Sequence, residues 1–281
     1  MKAIQKIFEK FYGQYKKQYN VSKIQGKVVN SILRCRTASL GCNAYRCEEC
    51  GNTEVYYNSC RNRHCPCCQA IEKEIWADKR MENTIDTPYF HLVFTIPEQL
   101  RMLVYNNQIL LYNLMYEAVN NTISKLSSDK KYLGAQIGFL SILHTWGNDI
   151  RFHPHIHAVV MAGGLTKTKR WRQSSKKFFI PVKVLSKLFK GIFLSKLRIN
   201  YNNNLLRFNG KIREYRSPKA FNRLLNKCYE LDWYIYSKRT FSDQSALVGY
   251  LSSIMSLKFC TQIFNGQGGF LLKYKNKGDI Q

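Results

Sequence analysis

Three of the six histidines of the chain, His153, His155 and His157, fall within five residues of the segment RFHPHIHAVVMAGG (151–164). Because residues i and i+2 of a β-strand share a face, a strand here would place the imidazoles of His155 and His157 side by side. The apolar run that follows them supports such a strand. Two neutral imidazoles on one face can bind a divalent first-row metal and leave positions for a third ligand and a substrate oxygen. The alternative is a polar strand face whose histidines only contact solvent.

Cysteine is concentrated in one segment, because eight of the ten cysteines lie between residues 35 and 68. A local cluster of this kind in a chain expected to stay in the cytoplasm indicates a metal site rather than disulfides. Two C-x-x-C pairs, fourteen residues apart, predict a closed, structural Zn²⁺ site with four thiolates, and Gly51 suits the tight turn after the first pair. The predicted ligands are Cys47, Cys50, Cys65 and Cys68, and the candidate extra ligands, for this ion or a second one, are Cys35, Cys60 and His64.

The charge of the chain points to a polyanionic partner, with nucleic acid first. Lys and Arg total 44 against 18 acidic residues, which gives a net charge of +26, and 14% of the residues are aromatic. Phosphate contacts combined with base stacking are how proteins hold single strands. A soluble, merely lysine-rich protein is the alternative. The candidate DNA contacts are Arg61 and Arg63 in the cysteine-rich segment, and Lys169, Arg170, Arg172, Lys176 and Lys177 in the basic segment 166–177, which we expect to be a mobile loop.

Hydropathy excludes two other classes of protein. No stretch of about 18 apolar residues occurs, so no membrane span is expected. The N-terminal sequence MKAIQKIFEKFYGQYKKQY is charged throughout and lacks the apolar centre of a secretory signal. The sequence therefore predicts a cytoplasmic protein.

The elements that must position the histidines follow from periodicity. A strand at YFHLVFTIP (89–97), a long helical stretch after it, and two strands at 137–146 and 154–161 that can pair as a hairpin give the order strand, helix, strand, strand. This order begins a ferredoxin-like antiparallel sheet. We therefore expect an α+β chain with a helical and zinc-binding domain at 1–88 and a catalytic domain at 89–281. Further elements are expected as a helix after Pro181, a hairpin or turn at RFNGKIREY, a strand at 232–239 and a helix at 242–257.

In combination, four segments resemble the HUH-type tyrosine transposases of rolling-circle insertion sequences, which carry an N-terminal zinc-binding domain. The segments RCEECG (46–51), YNSCRNRHCPCCQ (57–69), HLVFTIPEQL (91–100) and LHTWGNDIRFHPHIHAVVMAGGL (143–165) occur in the family's order. The resemblance runs from about Cys35 to Tyr250. The histidine pair alone would be a weak match, whereas the combination is specific.

The resemblance implies a mechanism that the residues permit. His155 and His157 would bind Mg²⁺ or Mn²⁺ at a scissile phosphate of single-stranded DNA, at the ends of a mobile element. The segment ALVGYL (246–251) matches the family's tyrosine helix, so Tyr250 would attack the phosphorus and form a 5′-phosphotyrosine link. The third metal ligand stays open among His153, His144, His91 and Asn148.

The sequence departs from the family pattern after Leu251. Ile254 stands where the family has a second tyrosine, and the residues beyond it no longer resemble the family, so the catalytic domain is expected to be incomplete at its C-terminus. Three alternatives follow: an enzyme that uses Tyr250 alone, a decayed copy that binds DNA without cutting it, and a related replication initiator or relaxase. Proteins of the last class are not expected to begin with this zinc cluster.

Overall fold

A computed structural model describes residues 3–81, 85, 87–147, 149, 151–174, 179–241 and 261–264, and these fall into two compact units that divide after residue 84. Among the described residues, no helix combines the length and apolar character needed to cross a membrane.

The N-terminal unit has helices before and after the cysteine-rich segment. Its elements are α1 (Ala3–Gln18), α2 (Lys23–Arg34), β1 (Cys42–Arg46), β2 (Thr53–Tyr57) and α3 (Pro66–Met81), with a 3₁₀ turn at Ala38–Leu40. Ser22 and Gln25 form a capping box that starts α2, since each side chain accepts a hydrogen bond from the other residue's backbone N–H. Strands β1 and β2 pair as an antiparallel hairpin within the cysteine-rich segment.

The larger unit is built on a five-stranded antiparallel sheet in the order β8-β3-β5-β4-β9. Its elements, in chain order, are β3 (Tyr89–Thr95), α4 (Glu98–Asn106), α5 (Gln108–Ser128), β4 (Phe139–Trp146), β5 (Phe152–Met161), β6 (Gly163–Leu165), β7 (Trp171–Gln173), α6 (Val182–Asn202), a 3₁₀ helix (Gly210–Arg216), α7 (Pro218–Glu230), β8 (Ile235–Phe241) and β9 (Thr261–Phe264). Strands β3, β4, β5 and β8 with the intervening helices form the β-α-β-β-α-β pattern of a ferredoxin-like sheet, so the predicted α+β class is confirmed.

Alternation along the central strand β5 separates a buried face from a histidine face. Ile156, Ala158 and Val160 are fully buried in the core, together with the apolar face of β3 and the helices. His155 and His157 point to the opposite face because side chains alternate along a strand. The sheet thus packs one face into the core, and His155 and His157 on the other face are half-buried.

One buried side chain breaks the long helical stretch expected after Pro97. Asn107 separates α4 from α5, and its amide donates to the backbone carbonyls of Leu103 and Arg207, both at 2.9 Å. Its Oδ1 accepts a hydrogen bond from the backbone N–H of Arg207 at 2.7 Å. This side chain therefore ties the helix break to a distant loop, which helical periodicity cannot reveal.

Part of the basic segment expected to be a mobile loop belongs to a two-stranded ribbon that begins just before it. Strands β6 and β7 pair antiparallel, with Gly164 opposite Arg172. Where a hairpin or turn was expected at RFNGKIREY, the chain forms a 3₁₀ helix. The helix expected at 242–257 lies outside the described residues.

Candidate metal centres and DNA contacts

The two histidines predicted as metal ligands lie on the same face of β5, next to a third on β4. His144 is directly opposite His155 in the β4–β5 pairing. One ligand nitrogen from each of His144, His155 and His157 lies within 4.8 Å of the other two. Of the four candidates for a third ligand, His144 is therefore the one that the structure groups with the pair.

Hydrogen bonds fix the orientation of both central imidazoles. His155 Nδ1 lies 2.7 Å from the carbonyl oxygen of His153, so it carries the proton and leaves Nε2 as the lone-pair nitrogen. His157 Nδ1 lies 2.8 Å from His91 Nε2, and the two rings are parallel. If His157 Nδ1 donates this bond, its Nε2 is likewise available to a metal. Such a second partner on a ligating imidazole is the usual arrangement around metal sites.

Burial keeps these imidazoles neutral. Desolvation, with smaller contributions from neighbouring histidines, lowers the pKa of His157 to about 2 and that of His144 to about 4. The pKa of His155 is also lowered, again mainly by burial. Because metal ions bind the neutral imidazole, the group is in its ligand form at neutral pH.

The other described candidates for the third ligand, His91 and His153, do not belong to the group of three. His91 lies on β3 and contacts His157 rather than joining the group of three, and its ring also packs edge-on against Tyr236. His153 contributes its backbone carbonyl to His155. Asn148 and the predicted nucleophile Tyr250 lie outside the described residues.

Four sulfur atoms in the N-terminal unit meet within 4.8 Å of one another, those of Cys35, Cys60, Cys65 and Cys68. The Sγ atom of Cys68 lies 3.6 Å from that of Cys35 and 3.8 Å from that of Cys60. A tetrahedral zinc ion with Zn–S bonds of about 2.3 Å requires S–S separations of about 3.8 Å, so the group fits zinc.

The surroundings of these sulfurs also suit thiolates bound to a dication. Backbone N–H groups of Cys60 and Asn62 donate to the sulfurs of Cys35 and Cys60, each at 3.5 Å. Burial raises the pKa of Cys60 to about 11, so a thiolate here needs a compensating positive charge. The buried amide of Gln5 donates to the carbonyl of Cys35 at 2.7 Å and joins α1 to this residue.

Two of the four ligands predicted from the C-x-x-C spacing, Cys65 and Cys68, belong to this group, and the other two do not. Cys47 and Cys50 lie at the exposed turn between β1 and β2, and the group that forms contains Cys35 and Cys60 in their place. The hairpin explains the difference. At its base, the backbone N–H of Arg36 donates to the carbonyl of Asn58. Because each strand is five residues long, the turn with Cys47 and Cys50 lies about 16 Å from this base. Gly51 does adopt the positive φ of a tight turn, at 70°.

Five of the predicted DNA contacts lie within the described residues, and their side chains differ in how freely they could bind DNA. Arg61, Arg63, Lys169 and Arg170 are exposed. The guanidinium of Arg172 donates to the carbonyl oxygen of Leu133 at 3.2 Å, so it braces the ribbon. His64, an extra zinc candidate, is half-buried and outside the four-sulfur group. Lys176 and Lys177 lie outside the described residues.

Two family models match different parts of the chain. A transposase zinc-binding domain matches residues 7–96, and a putative transposase domain matches residues 138–256. A putative transposase of Sinorhizobium fredii is 36% identical over 247 residues, which cover 87% of this chain and 62% of that protein. The transposase for insertion sequence element IS801 of Pseudomonas savastanoi pv. phaseolicola is 34% identical over 154 residues, which cover 54% of this chain and 37% of that protein.

The matched region of this chain thus spans about two fifths to three fifths of the length of these relatives. Among solved structures, a metal-bound conjugative relaxase TrwC in complex with oriT DNA aligns with 60% of this chain and 72% of its own, at 13% identity and a TM-score of 0.31. Both family models and both curated relatives agree with the resemblance read from the motifs. The chain belongs to the HUH-type transposases of insertion sequences that begin with a zinc-binding domain.

Proposed function

We propose that this protein cleaves and rejoins single-stranded DNA at the ends of a mobile element, using a divalent metal site and a tyrosine nucleophile. The observation that carries the proposal is the convergence of His144, His155 and His157 on one half-exposed face of the sheet. A metal ion bound there would polarise a scissile phosphate and stabilise the charge that develops on it.

The residues of the chain have separate roles in this proposal. His144, His155 and His157 hold the ion, and His91 orients His157 through its hydrogen bond. The phenol oxygen of Tyr250 forms the bond to phosphorus, the bond to the 3′-oxygen breaks, and that oxygen leaves with a proton as a free hydroxyl. The phosphotyrosine bond keeps the energy of the broken linkage, so rejoining needs no nucleotide cofactor.

The donor set favours Mn²⁺ over Mg²⁺ among the two metals that the resemblance implies. Three imidazole nitrogens form the described part of the site, with no carboxylate in the group. Mn²⁺ has the lowest affinity for nitrogen ligands among the divalent first-row metals, but it accepts imidazole more readily than Mg²⁺, which prefers oxygen ligands and water. We therefore propose Mn²⁺ as the better activator.

The N-terminal unit serves as a structural zinc domain in this proposal. Cys35, Cys60, Cys65 and Cys68 hold one Zn²⁺, which is closed to substrate because all four positions are thiolates. Arg61 lies directly after Cys60 and has a positive φ of 48°. The zinc thereby fixes an exposed arginine pair, Arg61 and Arg63, that can bind the phosphates of the DNA ends.

The test is a covalent-adduct assay with labelled single-stranded DNA that carries candidate element ends. The full chain is incubated with Mn²⁺ or with EDTA, and a denaturation-stable adduct is sought on a gel. We expect a Mn²⁺-dependent adduct that is lost in Tyr250→Phe and in the double variant His155→Ala/His157→Ala. DNA binding without any adduct would instead identify a decayed copy that only binds DNA.

A further inference from the structure

Helix α1 has large apolar side chains both in the core of the N-terminal unit and on its surface. Ile4 and Phe8 pack against the buried residues around the four sulfur atoms. Four other large side chains follow at intervals of four residues and are each 48–57% exposed, namely Ile7, Phe11, Tyr15 and Tyr19. Residues four apart lie on the same side of a helix, so these four form one exposed row, which we call the α1 stripe. A row of large exposed apolar groups marks a surface that binds a partner.

Three of the four side chains in the α1 stripe are aromatic. The backbone N–H of Tyr19 donates to the carbonyl of Tyr15 at 3.0 Å, so the helical path extends to Tyr19. The rings of Tyr15 and Tyr19 stack, with their centroids 4.7 Å apart and 29° between their planes. The rise of an α-helix separates Phe11, Tyr15 and Tyr19 by steps of about 6 Å along the axis. The stripe therefore presents aromatic rings in succession, on which unpaired bases can stack.

Basic side chains border the α1 stripe on one side. From residue 3 to residue 34 the chain carries seven Lys and Arg and one acidic residue, Glu9. Lys6, Lys10 and Lys17 are exposed, and their intervals of four and seven residues place them in one row along α1. Lys10 Nζ lies 5.2 Å from the centroid of the Phe11 ring, so this row adjoins the stripe.

A groove between α1 and α2 adds positive charge on the other side. Its volume is about 460 Å³, and Tyr12, Lys16 and Lys23 are among the residues that line it. Lys16 directly follows Tyr15 of the stripe, and its Nζ lies 5.1 Å from the centroid of the Tyr12 ring. Aromatic rings bordered by cations are the combination with which proteins hold single-stranded nucleic acid.

The charge of α1 also decides which partner fits the α1 stripe. Two copies packed stripe to stripe would bring together the four lysines of each helix with one glutamate from each, so they would repel. An anionic membrane surface would bind a broad apolar helix face, whereas α1 uses Ile4 and Phe8 to pack inside its own unit. A single strand of DNA suits both the exposed rings and the lysines.

We propose that the α1 stripe holds unpaired bases of single-stranded DNA by stacking on Phe11, Tyr15 and Tyr19, while the lysines beside it bind phosphates. This inference rests on the proposed function, which requires an unpaired strand, but it concerns a surface of the N-terminal unit and not the histidine site. Because every base has a face that can stack, the stripe holds the strand without reading its sequence.

The experiment compares two labelled single strands by fluorescence anisotropy with the full chain. One is an oligothymidine of about fifteen nucleotides, and the other is an abasic strand of the same length, which keeps the phosphates and lacks the bases. The variant Phe11→Ala/Tyr15→Ala/Tyr19→Ala should bind oligothymidine at least about tenfold more weakly, because the stacked bases lose their partners. Its affinity for the abasic strand should change by less than about threefold, since the phosphate contacts remain.

Two further variants separate stacking from apolar contact and from charge. Phe11→Leu/Tyr15→Leu/Tyr19→Leu keeps an apolar stripe without ring faces and should lose oligothymidine binding as the alanine variant does. Lys6→Ala/Lys10→Ala/Lys17→Ala should weaken binding of both strands alike and lower the slope of log affinity against log salt by about 2.

The matched control removes three tyrosines of the larger unit that are 54–67% exposed, in the variant Tyr105→Ala/Tyr229→Ala/Tyr234→Ala. This variant should bind oligothymidine within about threefold of the unchanged chain. Equal losses on both strands in the stripe variant, or a matching loss in the control, would overturn the inference. So would full oligothymidine binding in the leucine variant.

The two other partners are tested with the same stripe variants. Loss of binding to phosphatidylglycerol vesicles with DNA binding unchanged would assign the stripe to a membrane, and loss of a dimer in light scattering would assign it to a second copy. The covalent-adduct assay separates this inference from the proposed function. An adduct with no effect of the stripe on oligothymidine binding refutes the stripe alone, whereas stripe-dependent binding without an adduct refutes the enzyme.

Discussion

At the scale of single residues, the proposed metal site depends on hydrogen bonds that orient its ligands. His157 can present Nε2 to a metal only if Nδ1 donates to His91 Nε2. In the proposed site, His91 would therefore position a ligand rather than bind the ion. This distinction gives a measurable difference between conservative and truncating substitutions.

Replacing His91 with Ala should weaken Mn²⁺ binding by about 10- to 100-fold, the usual effect of removing such a partner. His91→Gln keeps an acceptor oxygen near the position of Nε2 and should recover part of the affinity. Isothermal titration with Mn²⁺ measures both. Equal losses in the two variants would show that His91 acts through packing alone.

The zinc ligands can be separated by stoichiometry. The double variant Cys47→Ser/Cys50→Ser should retain about one zinc per chain, because these thiols lie outside the four-sulfur group. Cys35→Ser/Cys60→Ser should lose zinc and destabilise the N-terminal unit. Metal analysis of the purified proteins measures the ratio. If Cys47→Ser/Cys50→Ser loses zinc and Cys35→Ser/Cys60→Ser keeps it, the ligand set predicted from the spacing would be correct.

At the scale of elements, strand pairing places the histidines on one face of the sheet, and Asn107 holds the break between α4 and α5 against the loop at Arg207. Asn107→Ala should lower the free energy of unfolding by about 1 to 3 kcal/mol, because the partly buried N–H and carbonyl of Arg207 and the buried carbonyl of Leu103 lose their partner. The matched control is Asn106→Ala, whose exposed amide bonds only Met102, with a cost within about 0.5 kcal/mol. Urea unfolding followed by circular dichroism measures both, and equal costs would contradict this role of Asn107.

At this scale, local patterns in the sequence predicted individual strands but not the contacts between them. The period-two histidines predicted the strand and its metal face because side-chain alternation is local. The choice of His144 as their neighbour depends on the register between β4 and β5, which sequence spacing does not fix. The pairing of Cys35 with Cys60 depends on a hairpin whose exposed strands have no apolar alternation. The adjacent glycines Gly163 and Gly164 were the available sign of the ribbon.

At the scale of the whole molecule, the net charge of +26 should dominate affinity for DNA. Each phosphate contact releases a counterion, so affinity should fall by about 10³ or more between 50 and 200 mM salt if six or more phosphates are bound. Anisotropy titrations at several salt concentrations measure the slope. A slope near zero would contradict a phosphate-binding role for the basic residues.

The proposed function requires that the histidine site directs Tyr250 to a DNA phosphate. Mass spectrometry of peptides from the Mn²⁺-dependent adduct identifies the residue that attacks. We predict a nucleotide on the peptide that contains Tyr250. Tyr236 is the internal comparison, because its register with Val93 places it on the histidine face of β8, next to His91. A nucleotide on Tyr236, or on any residue other than Tyr250, would contradict the claim.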